Sequence, residues 1–135
     1  VDRDTEIEIL REALRRRAEE TTVRQVAAEV GMSHGGVHNL LSGGVAPYGK
    51  TLAKLRAWYV DQQLRGGGEL TAMTARYLVD KLLAAVPAPV RAAAQVETLD
   101  SLTAVYGRFG VPAPPWIAEL RDELGREVES GGAAE

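Results

Sequence analysis

Apolar residues recur along this chain at helical spacing and almost nowhere at the two-residue spacing of a strand. A first helix is expected from about Thr5 to Glu20, with Ile7, Leu10 and Leu14 in one stripe. Thr22 can cap a second, in which Val23, Val26, Ala27 and Val30 fall at i, i+3, i+4 and i+7. Gly31 breaks that helix. Ser33 can cap a third through about Leu41, which Ser42-Gly43-Gly44 then ends. Beyond Pro47, a fourth helix from about Gly49 to Leu64 presents Leu52, Leu55, Trp58 and Tyr59 on one side.

Gly66-Gly67-Gly68 is the clearest boundary, a flexible hinge in which nothing can pack. Three further helical segments follow. Leu70 to about Val86 carries Ala75, Leu78, Val79, Leu82 and Val86 in register, and Pro87-Ala88-Pro89 interrupts it. Pro89 can open the next helix, whose stripe is Leu99, Leu102, Tyr106 and Phe109 and which stops at Gly110-Val111-Pro112. A last helix from about Pro115 places Ile117, Leu120, Leu124 and Val128 on one face, and Ser130 to Glu135 is expected to be a disordered tail. The fold class implied is all-α. An N-terminal bundle of about four helices (residues 1–65) is joined by a linker (66–69) to a C-terminal module of about three (70–129).

With 135 residues the chain suits one ordinary domain or two small ones. Apolar residues at 45% and charged residues at 26% give a globular composition, not a disordered one. The chain has no cysteine, so disulfide scaffolds, thiolate zinc sites and cysteine nucleophiles are excluded. The charged start is unlike a secretory signal and no apolar run approaches the length of a membrane span, so a cytoplasmic protein is expected. The net charge of −3 divides unevenly, +1 over residues 1–65 and −4 over residues 66–135. Within Thr22–Arg65, Arg24, Lys50, Lys54, Arg56 and Arg65 face only Glu29 and Asp61, a modest positive footprint suited to phosphates.

The segment from Thr21 to Leu41, TTVRQVAAEVGMSHGGVHNLL, carries the functional signal. Ala27 is small where two helices cross closely, and Gly31 suits the positive-φ residue of a tight inter-helix turn. Val37, Leu40 and Leu41 face back onto Val26 and Val30, which leaves His34, Gly35, His38 and Asn39 outward. Asn39 can pair bidentately with adenine, and His34 can donate to a guanine or a phosphate. Ser33 and the free N–H groups behind it suit a phosphate oxygen.

Over about Thr21 to Tyr59 the chain resembles the helix-turn-helix of phage repressor and Cro-like regulators. Thr22, Val26, Ala27, Gly31, Ser33 and Val37 occupy that family's capping, packing and turn positions. The resemblance implies double-stranded DNA as ligand, with His34, Gly35 and Asn39 at base-reading positions. Thr22, Arg24, Ser33, His38, Tyr48, Lys50 and Lys54 complete the expected DNA-binding set. The family often has Gln where Val23 stands and longer polar side chains at 34 and 35, and Gly35-Gly36 supplies no side chain for readout. Thr21 to Gly36 is also similar to the reader of tetracycline-repressor-type proteins, but the aromatic pair and lysine that usually follow there are replaced by Asn39-Leu40-Leu41 and two glycines.

His34 and His38 stand i, i+4, a spacing that can chelate a metal, yet no carboxylate lies between them and no third ligand is evident. Neither a phosphate-binding glycine loop nor a serine with a histidine base is found outside the reader, so no enzyme, metal or cofactor is expected. Arg15-Arg16-Arg17 reads as a solvated helix face, and Trp58, Tyr59 and Trp116 as packing anchors. Two functions remain: a repressor that dimerises through residues 70–129, and an antitoxin-like or adaptor protein that holds a protein partner there.

Overall fold

Asp2 opens the first helix by accepting a hydrogen bond from the Thr5 N–H at 2.8 Å, so helix α1 (Arg3–Glu20) starts two residues before the sequence suggests. In the computed structural model, which describes residues 2–44 and 46–133, the chain is all-helical, with seven helices and no strand among the described residues. It divides into two compact units, Val1–Gly68 and Glu69–Glu135.

The first unit holds α1, α2 (Val23–Val30), α3 (His34–Leu41) and α4 (Gly49–Gly66). Its core is built from Ile7, Leu10 and Leu14 of α1, Val26, Ala27 and Val30 of α2, Val37 and Leu40 of α3, and Leu52, Leu55, Trp58 and Val60 of α4. Each buried aliphatic side chain contributes about 2 kcal/mol, which gives four short helices reason to pack. The α4 stripe differs from expectation at one place: Val60 is buried and Tyr59 only half-buried.

Ion pairs also join these helices. Arg56 of α4 grips Glu6 of α1 with Nη2 at 2.6 Å and Nε at 3.1 Å from both carboxylate oxygens. Arg17 of α1 grips Glu29 of α2 with Nε at 3.2 Å and Nη2 at 2.8 Å. Of the three glycines read as a hinge, Gly66 is still helical and Gly67 takes the left-handed conformation that ends α4, with φ 68°.

The second unit holds α5 (Ala72–Leu82), α6 (Ala88–Arg108) and α7 (Pro115–Ala133). Helix α7 packs against both others, around Ala75, Val79, Leu99, Ile117, Leu120 and Leu124. Trp116 is half-buried against this cluster. Arg76 of α5 reaches Glu123 at 3.3 Å and Glu127 at 3.1 Å on α7, while buried Gln95 of α6 donates to Asp80 of α5 at 2.5 Å.

Three expected stripe positions are exposed instead: Leu82 at 77%, Phe109 at 71% and Val128 at 40%. Leu82 and Phe109 lie where their helices stop, Leu82 as the last helical residue and Phe109 as the C-cap, so their spacing runs past the packing partner. Val128 lies beyond Leu124, the last residue of α7 that is buried among the described residues. Helix α7 itself continues to Ala133, through most of the stretch expected to be a disordered tail; residues 134–135 lie outside the described residues. No described helix is long and apolar enough to cross a membrane.

Candidate nucleic-acid interface

Helix α2 begins where the Thr22 hydroxyl accepts from the Gln25 N–H at 3.0 Å, and ends at Gly31, whose φ of 84° only glycine adopts without strain. The N–H groups of Gly31 and Met32 both donate to the Ala27 carbonyl, at 2.9 and 3.0 Å, closing the turn. Ser33 then restarts the helix, its hydroxyl accepting from the Gly36 N–H at 3.0 Å. Two caps and one left-handed glycine, all local chemistry, thus set the geometry of α2–turn–α3.

Packing settles which way α3 faces. Val37 is fully buried and Leu40 6% exposed, while His34, Gly35, His38 and Asn39 are all exposed. At about 100° per residue those four occupy an arc of roughly 140°. The C-terminal end of α3 is pinned from outside: Arg11 of α1 donates Nε–H to the Leu40 carbonyl at 2.8 Å, with a terminal nitrogen on Glu8. The Asn39 carbonyl accepts from the Gly44 N–H at 3.1 Å and the Ser42 hydroxyl at 3.0 Å, so the backbone beneath the Asn39 side chain is held.

Beside α3 lies a shallow depression of about 410 Å³, lined by Met32, Gly36 and Asn39 on one side and by Tyr48, Lys50 and Thr51 on the other. The structure thus brings Asn39 together with Tyr48 and Lys50, which the sequence places around ten residues away. Pro47 is buried there, its carbonyl accepting from Arg3 at 3.4 Å. Tyr48 is 70% exposed and caps α4 without a side-chain hydrogen bond, which leaves the first N–H groups of that helix to solvent. Met32 and Thr51 were not among the expected site residues; nothing in their spacing marks them.

Of the expected cations, Arg24 and Lys50 are exposed and meet no acceptor among the described residues. Lys54 is different: its ammonium donates to the Gly31 carbonyl at 3.0 Å and so braces the inter-helix turn. The one carboxylate of α2 is turned inward. Glu29 accepts from Arg17, from the Trp58 indole N–H at 3.2 Å and from Gln25 at 3.3 Å, and Arg17 above all holds its carboxyl at about 2, far below the usual carboxylate range. Trp58 is thereby a core residue, 5% exposed, and not a stacking platform. No group of three or more ligating side chains among the described residues could hold a metal ion.

No family model, curated protein or solved structure matches the chain. Function must then be read from the site itself.

The two adjacent glycines of α3 differ. A Cβ on Gly36 would press on the Ser33 hydroxyl at 3.0 Å and the Met32 methyl at 3.3 Å, whereas one on Gly35 would meet nothing within 4 Å. Gly35→Ala is therefore expected to stabilise the first unit by about 0.5–1 kcal/mol, since alanine loses less backbone freedom in a helix. Urea unfolding checks this, and a lower midpoint would show that the fold needs the glycine after all.

Proposed function

We propose that the chain is a sequence-specific DNA-binding transcription regulator, a repressor of the phage repressor and Cro-like type. Helix 33–41 enters the major groove. The observation that carries this reading is the α2–turn–α3 unit: its second helix is buried along Val37 and Leu40 and unobstructed along His34, Gly35, His38 and Asn39.

The chemistry of each group follows from its place. The Asn39 carboxamide donates to N7 and accepts from N6–H of an adenine. His34 and His38 reach base edges or phosphates, and Gly35 lets the groove floor approach the backbone. Thr22 and Ser33, with the free N–H groups of the helices they cap, take phosphate oxygens, as do Arg24, Tyr48 and Lys50. Lys54 acts through the turn it braces.

In this reading residues 1–65 are a four-helix reader and residues 70–129 a three-helix module that joins two copies in the cytoplasm, setting their recognition helices one DNA turn apart. Leu82, Val90, Phe109 and Val111, all more than half exposed, supply apolar surface for that contact. The same surface also favours the second reading, an antitoxin-like adaptor with a protein partner there.

Fluorescence anisotropy with duplexes selected from random DNA tests the proposal. Tight, salt-dependent binding to a selected duplex over its scramble, abolished by His34→Ala with Asn39→Ala at unchanged helicity, is expected. No binding to any duplex at low salt would overturn it.

A further inference from the structure

His34 and His38 are the only histidines in the chain, and both stand on the outward face of α3, one turn apart. Both are exposed, and no hydrogen bond or ion pair joins either imidazole to another described residue. Without them the face has no ionisable group, since its other members are Gly35 and Asn39. The two imidazoles are therefore the groups through which this face can carry charge.

The elements around α3 offer these imidazoles little fixed charge. On α1, Arg11 is committed to Glu8 and the Leu40 carbonyl, and Glu12 to Arg15 and Arg16. On α2, Glu29 is held by Arg17, Gln25 and Trp58, which leaves Arg24 exposed. On the segment leading into α4 and on α4 itself, Lys50 and Tyr48 are exposed and Lys54 is bound to the Gly31 carbonyl. No carboxylate on these elements bonds either imidazole, so both rings are open to a polyanion laid on α3.

We propose that His34 and His38 couple DNA binding to proton uptake, so that the reader grips the duplex more tightly as pH falls from about 8 to about 6. A neutral imidazole offers one donor and one acceptor, whereas the protonated ring offers two donors and a positive charge. Binding energy that depends on the proton must, by linkage, draw protons on when DNA arrives. Each imidazolium placed on a phosphate also releases counterion, adding about 0.9 to the slope of log affinity against log salt. This inference rests on the DNA-reading assignment above.

The test is a salt series of anisotropy titrations on one selected duplex at about pH 8 and about pH 6, with wild type and His34→Gln/His38→Gln. Wild type is expected to bind about tenfold tighter at the lower pH, with a salt slope steeper by between one and two. The glutamine variant should show one affinity and one slope at both pH values. A His34→Arg/His38→Arg variant should show the steeper slope at both. Binding that ignores pH, or a pH response surviving in the glutamine variant, would overturn proton linkage and leave the DNA reader standing. Absence of binding in every protein at every salt would overturn both.

Discussion

Glu29→Ala is expected to lower the unfolding free energy of the first unit by about 2–3 kcal/mol. Four donors converge on this carboxylate from three helices: two from Arg17 of α1, one from Gln25 of α2 and one from Trp58 of α4. Removing it orphans the indole N–H of a tryptophan that is 5% exposed and leaves the Arg17 guanidinium only Glu20, at 3.7 Å. The cost falls below that of a fully buried pair because the side chains of Glu29 and Arg17 retain 16% and 32% of their exposure. The same carboxylate makes stability depend on pH with a definite sign. Its pKa in the folded protein is about 2 against an ordinary 4.5, so the ionised form favours folding. That contribution is fully present above about pH 5 and is lost as pH falls towards about 2. In a Trp116→Phe background, Trp58 reports unfolding of the first unit alone. Urea midpoints measured there should fall steeply between neutral pH and about pH 3 for wild type, and less steeply for Glu29→Gln. Parallel pH profiles in the two proteins would show that Glu29 does not carry the effect.

The contrast between Glu29 and the rest of α2 shows what was legible in the sequence. Thr22, Gly31 and Ser33 act within three or four residues of themselves, through caps and a left-handed turn. Their roles follow from residue type and spacing, and so did the outward placement of His34, Gly35, His38 and Asn39. Glu29 reads in the sequence only as a charge opposing the basic residues nearby. Its partners Arg17 and Trp58 lie 12 and 29 positions away, and no periodicity connects them. The bond from Lys54 to the Gly31 carbonyl was illegible for the same reason, since that carbonyl is 23 residues upstream.

In the second unit the limit was different. The stripes were recognised, but spacing alone does not say where a helix leaves its partner. Helix α5 stops at Leu82, and it is Leu83, in the C-cap, that packs on the core. Gln95 was missed because a polar residue on an apolar face reads as an interruption, until Asp80 is seen to accept its hydrogen bond.

Asn39→Ala is expected to cost between about tenfold and a hundredfold in affinity for the selected duplex, the range of one bidentate base contact. Its cost to the fold should be small. The side chain is exposed, and the local backbone bonds run through the Asn39 carbonyl, which alanine retains. The informative comparison is Lys50→Ala, across the same depression. A phosphate contact carries no sequence information, so losing Lys50 should weaken selected and scrambled duplexes alike and reduce the salt slope by about one. Losing Asn39 should instead leave the slope and the scrambled duplex untouched, and erase preference at one A·T pair. That pattern separates base reading from electrostatic adhesion within one surface. If both variants weakened both duplexes equally, α3 would be a phosphate-binding helix and not a reader. If Asn39→Ala changed nothing while Lys50→Ala acted, specificity would have to come from the shape of the duplex against the bare backbone at Gly35.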